Sequence, residues 1–170
     1  LSAIASAAPL STEDDGAPLP MAWSKLIAAA SAVDVDAVAE EYEQLFGGVG
    51  QARVNLHASH HLTGFMMEKP LAELRNSFAT LGLSRVVSQH STEDHIASLC
   101  EVMRILIVGL GDRAPANVAT QRVFFDEHIW TWIEKLEVSI CSHELANFYR
   151  VVGELAGTFF RVERVSFDVR

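Results

Sequence analysis

Apolar residues in this chain recur three or four positions apart, the spacing of helices that bury one face. The clearest stripe is Ile96, Leu99, Cys100, Met103, Leu106 and Ile107. Two further stripes follow it, one of Phe125, Ile129, Trp132, Ile133, Leu136 and Ile140, the other of Leu145, Phe148, Tyr149, Val152, Leu155, Phe159 and Phe160. No segment alternates apolar and polar residues between hairpin turn residues, so the pattern predicts an all-α bundle.

The first half shows the same period with clear helix boundaries. A short helix is predicted over Met21 to Ala32, after an acidic, proline-bearing loop. From Asp34 a second helix carries the stripe Val35, Val38, Tyr42, Leu45 and Phe46 and ends at Gly47–Gly48, where one glycine can take the left-handed conformation. Pro70 suits the first turn of a helix that runs to Leu81. Residues 51–64 follow no clean period.

A polar stretch near the middle suggests how the chain is divided. We predict one 170-residue helical domain of two subdomains, 1–85 and 93–170, joined by a hinge at 86–92. At the start of the chain, residues 1–8 are rich in small residues, as in a signal-peptide cleavage site, but lack a cationic region. We interpret them as the end of a first helix.

Asp94 and His95 are chemically versatile side chains at the predicted entrance of a helix from Glu93 to Gly109. Ser91 as N-cap and Asp94 three residues later would form a capping box. Asp94 is then expected near the hinge and partly accessible to solvent. Neighbouring serines lack the setting of a nucleophile elbow, so the pair does not by itself indicate a hydrolase.

The composition of the chain argues against several classes of binding partner. The formal net charge of −9 disfavours nucleic acid and anionic membranes, which require a basic face, and favours a basic partner. No apolar run reaches the length of a membrane span, so stable membrane insertion is not expected. Two cysteines within helical patterns, Cys100 and Cys141, are interpreted as buried free thiols.

Two other groups of residues contain histidines that could take part in a functional site. The cluster His57, His60 and His61 contains common metal ligands, but no carboxylate or thiolate lies near it in sequence, so a polar loop is preferred and no metal or cofactor is predicted. His128 shares one helix side with Phe125 and Trp132. We expect Phe125, Ile129 and Trp132 to be buried and His128 to lie toward the edge.

A series of short motifs resembles the TorD/DmsD family of cytoplasmic chaperones for molybdoenzymes. The motifs, between about Val35 and Phe160, are Tyr42-x-x-Leu45-Phe46-Gly47, Leu62-Thr63-Gly64, Lys69-Pro70-Leu71, Leu74-Arg75, Glu93-Asp94-His95-Ile96-Ala97, Phe124-Phe125-x-x-His128-Ile129-x-x-Trp132 and Phe148-Tyr149. Ser91 stands where the family usually has glutamate, and Thr92 and Thr131 stand where proline is common.

The resemblance implies a non-enzymatic chaperone that binds the twin-arginine signal peptide, or the folding intermediate, of a molybdenum-containing oxidoreductase and assists cofactor insertion before export. It implies signal-peptide contacts at Asp94, His95, Tyr42, Phe46, His128 and Trp132. The expected partner is the apo catalytic subunit, with formate dehydrogenase as the suggested client. The chaperone would act in the cytoplasm as a monomer or a domain-swapped dimer.

Two alternative functions are also compatible with the sequence. The chain could mature a molybdoenzyme subunit that carries no export signal, which a client pull-down would distinguish. From another class, a metal-dependent hydrolase could use Asp94, His95 and the His57 cluster, and would bind metal stoichiometrically there.

Overall fold

The computed structural model describes residues 1–10, 17–47, 52–84 and 92–169. These residues form nine α-helices and one π-helical turn: α1 Ser2–Ala5, α2 Pro18–Ala32, α3 Val35–Phe46, α4 Ala58–Thr63, α5 Lys69–Thr80, α6 Ile96–Val108, α7 Val118–Phe125, the π turn Asp126–Trp130, α8 Thr131–Cys141 and α9 Phe148–Val169. Within the same residues the only β-type pairings are two isolated bridges. The predicted all-α fold is confirmed.

Helices whose ends carry a strong local signal begin where the sequence predicts. The side chain of Asp34 caps α3 by accepting hydrogen bonds from the backbone N–H groups of Asp36, at 2.9 Å, and Ala37, at 3.3 Å. Pro70 lies in the first turn of α5, where its missing N–H costs nothing. Leu71, Leu74 and Phe78 of that helix are buried as predicted.

Three boundaries differ from the prediction. Helix α2 begins at Pro18 rather than Met21, because proline at the first helical position removes no intrahelical bond. Residues 58–63, in the segment without a clean period, form α4. Gly47 ends α3 with a φ of −100°, so it is not the left-handed residue, and Gly48 lies outside the described residues.

The predicted helix that buries Phe125, Ile129 and Trp132 is interrupted by the π turn. Its apolar stripe is nevertheless buried as expected, with Phe125, Ile129 and Trp132 each no more than 2 % exposed. The His128 side chain is only 9 % exposed, so it is buried more deeply than its expected position toward the edge.

Some predicted core positions are wrong. Phe160 is buried but its neighbour Phe159 is 42 % exposed, because adjacent helical residues point about 100° apart and cannot share one face. For the same reason Cys100 is exposed beside the fully buried Leu99. Tyr42 and Val35 are exposed on α3, where Val38 and Leu45 provide the buried face. Leu145 precedes α9 rather than lying within it.

One compact unit, called unit 1, consists of Leu1–Asn55 and Glu134–Ser166. Its apolar cluster joins Leu26 and Ala30 of α2, Val38 of α3 and Phe148 of α9. The carboxylate of Glu41, on α3, accepts hydrogen bonds of 2.8, 3.0 and 2.8 Å from the backbone N–H groups of Asn147, Phe148 and Tyr149. Glu41 therefore caps the 22-residue helix α9 from a distant part of the sequence.

The other compact unit, called unit 2, consists of Leu56–Ile133 and Phe167–Arg170. Its buried side chains include Leu74 and Phe78 on α5, Leu99 and Leu106 on α6, and Trp132. The end of α9 is anchored inside this unit by Arg122, whose guanidinium donates to the Phe167 carbonyl at 3.1 Å and to Asp168 at 2.6 Å.

The predicted hinge at 86–92 lies outside the described residues except for Thr92, so the division into 1–85 and 93–170 stays a prediction. The described helices are too short or too polar for any of them to cross a membrane.

Candidate functional site

The Asp94–His95 segment is paired with the entrance of α4. The Ile96 N–H donates to the Leu56 carbonyl at 2.9 Å, and the Ala58 N–H donates to the Asp94 carbonyl at 3.0 Å. These two bonds form the bridge between His57 and His95. Two segments almost forty residues apart in sequence thus form one structural element in unit 2.

Asp94 caps α4 rather than its own helix. Its carboxylate accepts a 2.9 Å hydrogen bond from the Ser59 N–H and a 2.6 Å bond from the Thr92 hydroxyl. The side chain is 1 % exposed, so the expectation that solvent reaches it is wrong. Burial alone would raise the pKa of Asp94, but the bonds from Ser59 and Thr92 and the nearby His57 outweigh it, and the pKa is lowered.

His95 is the residue that caps α6. Its Nδ1 accepts a 3.1 Å bond from the Ala97 N–H, and the helix begins at Ile96 instead of Glu93. The predicted N-cap, Ser91, lies outside the described residues. His57 and His95 meet edge to face, with ring centroids 4.9 Å apart. Burial lowers the pKa of both imidazoles, so both are neutral at pH 7.

An ion pair attaches the same segment to α5. The Arg75 guanidinium donates to both carboxylate oxygens of Glu93, at 3.2 and 2.9 Å. The Glu93 side chain is only 10 % exposed. A bidentate pair of this kind fixes orientation as well as position, so the Asp94 segment is held by contacts with both α4 and α5.

His128 lies in the π turn, against α5. Its Nε2 is 2.8 Å from the Ser77 hydroxyl, and its ring is 5.0 Å from that of Phe124. Burial lowers the pKa of His128, although the carboxylates of Glu127 and Glu73 oppose the shift. The Trp132 indole N–H donates a 2.8 Å hydrogen bond to the His128 carbonyl and so stabilises this turn.

The two predicted positions Asp94 and His128 line one small cavity of about 150 Å³. We call it the acidic cleft; its walls are Ala58, Leu62, Pro70, Glu73, Leu74, Asp94, Leu99, Glu127, His128 and Thr131. A groove of about 510 Å³ between α5 and α7 shares Glu127 and His128 with it. We call this the α5–α7 groove; its apolar walls include Leu81, Val123 and Phe124.

The charged side chains that line this site are acidic, and one of them, Glu73, pairs with the exposed Lys69 at 3.2 Å. Among the described residues that line the cleft and the groove, three are carboxylates and none is lysine or arginine. The side chains of Glu73 and Glu127 are 56 % and 60 % exposed, so both can reach a ligand. The arrangement suits a cationic group beside an apolar segment.

Tyr42 and Phe46 form a separate aromatic group in unit 1. Their rings are 5.3 Å apart, and both contact Tyr149, at 5.8 and 5.1 Å. Tyr42 remains 43 % exposed. Burial, reinforced by Tyr42 and Glu41, raises the pKa of the Tyr149 phenol.

The six predicted site residues thus fall into distinct settings. Asp94 and His128 line one cavity, His95 adjoins Asp94 as a helix cap, and Tyr42 and Phe46 meet each other in unit 1. Trp132 is 1 % exposed and supports the site without facing it. In the described part of the chain no three histidine, cysteine, aspartate or glutamate side chains are placed to hold a metal ion, so the hydrolase alternative gains no support.

Sequence reasoning missed Glu73 and Glu127. Each occupies an exposed helical position, where a carboxylate is ordinary, and only the packing of α5 against the π turn brings both near His128. A usable signal was present: Glu127 directly precedes His128, and Glu73 lies four residues before Ser77 on the same helix face.

Comparison with known proteins assigns the chain to a family. Curated protein sequences gave no match. The family model described as nitrate reductase delta subunit matches residues 12–137, well over half of the chain and including the whole acidic cleft. The chain therefore belongs to the nitrate reductase delta subunit family, a family of TorD-type maturation chaperones for molybdoenzymes.

Proposed function

We propose that this protein binds the twin-arginine signal peptide of a molybdenum-containing oxidoreductase in the cytoplasm and keeps the enzyme from export until its cofactor is inserted. The observation that carries the proposal is a pair of exposed carboxylates near the junction of the acidic cleft and the α5–α7 groove: Glu127 lines both cavities, and Glu73 lines the cleft. Formate dehydrogenase stays the specific client expectation.

The chemistry of a twin-arginine signal matches this junction. Two guanidinium groups can each pair with one carboxylate, and the apolar segment that accompanies them can lie against Leu81, Val123 and Phe124. Guanidinium binds carboxylate through two parallel hydrogen bonds, which specifies orientation as well as charge. A client without an export signal would be bound in the same way only if it offered a comparable basic segment.

We assign a positioning role to Asp94 and His95, the two residues that the family resemblance implicates in peptide recognition. Asp94 is buried and already accepts bonds from Ser59 and Thr92, so in this conformation it holds α4 at the edge of the cleft rather than meeting the peptide. His95 fixes the start of α6. Tyr42 and Phe46 stay proposed as an aromatic contact for the peptide, with Tyr42 the more exposed of the two.

Calorimetric titration of a client's signal peptide tests the proposal. Glu127→Gln and Glu73→Gln should each weaken binding about fivefold, since an ion pair at an exposed carboxylate contributes up to about 1 kcal/mol. Glu144→Gln is the matched control, because it removes the same charge from an exposed residue outside both cavities. Its affinity should equal that of the unsubstituted protein.

A second peptide, with both arginines replaced by glutamine, completes a double-mutant cycle. Glu73→Gln/Glu127→Gln should bind this peptide as weakly as the unsubstituted protein does, because the interaction is already lost. If the two substitutions instead weaken both peptides equally, the carboxylates do not meet the arginines and the proposed site is wrong.

A further inference from the structure

The loop between α4 and α5 exposes three consecutive large apolar side chains. Every residue from Thr63 to Lys69 is exposed, and Phe65 and Met67 are 69 % and 72 % exposed. We call Phe65, Met66 and Met67 the apolar tip. A run of exposed apolar residues lowers solubility and is ordinarily kept for contact with a partner.

The loop is held in this conformation by hydrogen bonds through the Thr63 hydroxyl. The Phe65 N–H donates to the Thr63 hydroxyl oxygen at 3.2 Å, and that hydroxyl donates to the Ser59 carbonyl at 2.9 Å. Gly64 and Met67 both have positive φ, 84° and 56°. For a residue with a Cβ this conformation is strained, and such strain concentrates where function requires a particular display of side chains.

The shape and charge of the tip restrict its partner. A convex tip cannot enclose an extended peptide, but it can enter a concave apolar pocket. Phenylalanine supplies contact area, and flexible methionine side chains adapt to pockets of different shape. Glu68 is exposed directly beside the tip, and the next residue, Lys69, is paired with Glu73 at 3.2 Å. Together with the net charge of −9 on the chain, this disfavours an anionic membrane and favours a pocket with a basic rim.

We propose that the apolar tip docks into an unfilled apolar pocket, rimmed by basic residues, of the partly folded, cofactor-free catalytic subunit. This rests on the proposed function for the kind of client, but it assigns a second surface that is separate from the peptide site. The acidic cleft and groove are concave and take the signal peptide, whereas the tip is convex and takes the folding domain. One chaperone could then hold both parts of the client.

The test uses the full chain and the cofactor-free catalytic subunit of a formate dehydrogenase, the expected client, expressed without its signal peptide. Phe65→Ser/Met67→Ser should weaken binding to this subunit at least tenfold in biolayer interferometry. Ile107→Ser/Val108→Ser is the matched control, since it removes two exposed apolar side chains from another part of unit 2. The control should bind within twofold of the unsubstituted chain, and thermal melts should be alike for all three proteins.

A photo-crosslinking amino acid at position 65 gives a second measurement that does not depend on weakened binding. It should crosslink to the subunit, and one at position 108 should not. Unchanged affinity in the tip variant, or an equal loss in the control, overturns the proposal. So does a tip variant that loses only self-association or only binding to phosphatidylcholine vesicles.

The separate signal peptide distinguishes this proposal from the proposed function. The tip variant should bind the peptide within twofold of the unsubstituted chain, and an equal loss there would place the tip in the peptide site. If the unsubstituted chain binds no peptide but the tip still governs binding to the subunit, the peptide site is wrong and the tip proposal holds.

Discussion

Asp94 is a buried carboxylate that stabilises the structure next to the proposed peptide site. Its carboxylate accepts hydrogen bonds from the Ser59 backbone N–H and the Thr92 hydroxyl. Proline, common in the family at the position of Thr92, could not donate such a side-chain bond. Threonine therefore adds a donor that holds the carboxylate ionised.

Asp94→Asn should lower the free energy of unfolding by about 1.5 to 3 kcal/mol, the range for a hydrogen bond to a charged group. The amide keeps an acceptor oxygen but turns its NH₂ toward one of the two donors. Urea denaturation measures the change, and Asp112→Asn, at an exposed turn of the same unit, should stay within about 0.5 kcal/mol. Equal stability of the two variants would contradict the capping role.

The histidines of unit 2 should make stability depend on pH. Burial lowers the pKa of His57, His95 and His128 below the ordinary 6.5. Below about pH 6.5 the unfolded chain therefore binds more protons than the folded one, and stability falls as pH falls. The lowered pKa of Asp94 acts in the same direction, but only near and below 3.8.

Urea denaturation at pH 7.5 and 5.5 measures this dependence. The free energy of unfolding should be lower at pH 5.5, and His128→Gln should reduce the difference because one titrating group is removed. A protein that becomes more stable on acidification would show that these imidazoles are not held neutral.

At the scale of elements, α9 depends on one carboxylate from α3. Glu41 accepts hydrogen bonds from three backbone N–H groups at the start of the last helix, those of Asn147, Phe148 and Tyr149. Helix α9 supplies Phe148 to the core of unit 1, so its position matters for that whole core.

Glu41→Ala should therefore lower the free energy of unfolding by about 1 to 2 kcal/mol, in the range of a lost N-cap. The neighbouring Glu40→Ala makes the same chemical change on the same helix but removes only a bond to Gln44. Its effect should be within about 0.5 kcal/mol. If both substitutions cost the same, the loss reflects α3 itself rather than the cap on α9.

Helix starts and buried helix faces could be predicted from sequence where the residues that determine them are close together in the chain. Asp34 and Pro70 mark helix starts by themselves, and the period of Phe125, Ile129 and Trp132 identifies a buried face. Helix α4 was missed because its cap, Asp94, lies 35 residues away from Ser59. The start of α6 was misplaced for the same reason, since Asp94 serves α4 and leaves its own helix to His95.

The site was predictable to a smaller extent. The family resemblance led to Asp94 and His128, which do line one cavity. It could not reveal that Asp94 is sealed or that Glu73 and Glu127 supply the exposed charge, because both facts depend on how α4, α5 and the π turn pack. The π turn was not predicted, because its five residues also fit the 3.6-residue period of an α-helix.

At the scale of the whole molecule, the net charge of −9 would influence how fast a basic peptide reaches the proposed site. An acidic protein attracts a cationic segment over distances set by salt, about 30 Å at 0.01 M and about 10 Å at 0.1 M ionic strength. The carboxylates of Glu73 and Glu127 add a local attraction at the site itself. Apolar contacts in the α5–α7 groove form only after encounter and are much less sensitive to salt.

The association rate of the signal peptide should therefore fall about tenfold between low and physiological salt, while the dissociation rate changes much less. Stopped-flow fluorescence with a labelled peptide measures both rates. The peptide whose two arginines are replaced by glutamine serves as the control, and its association rate should depend only weakly on salt. If both peptides associate equally fast at every salt concentration, charge does not guide the encounter, and the apolar groove alone must capture the peptide.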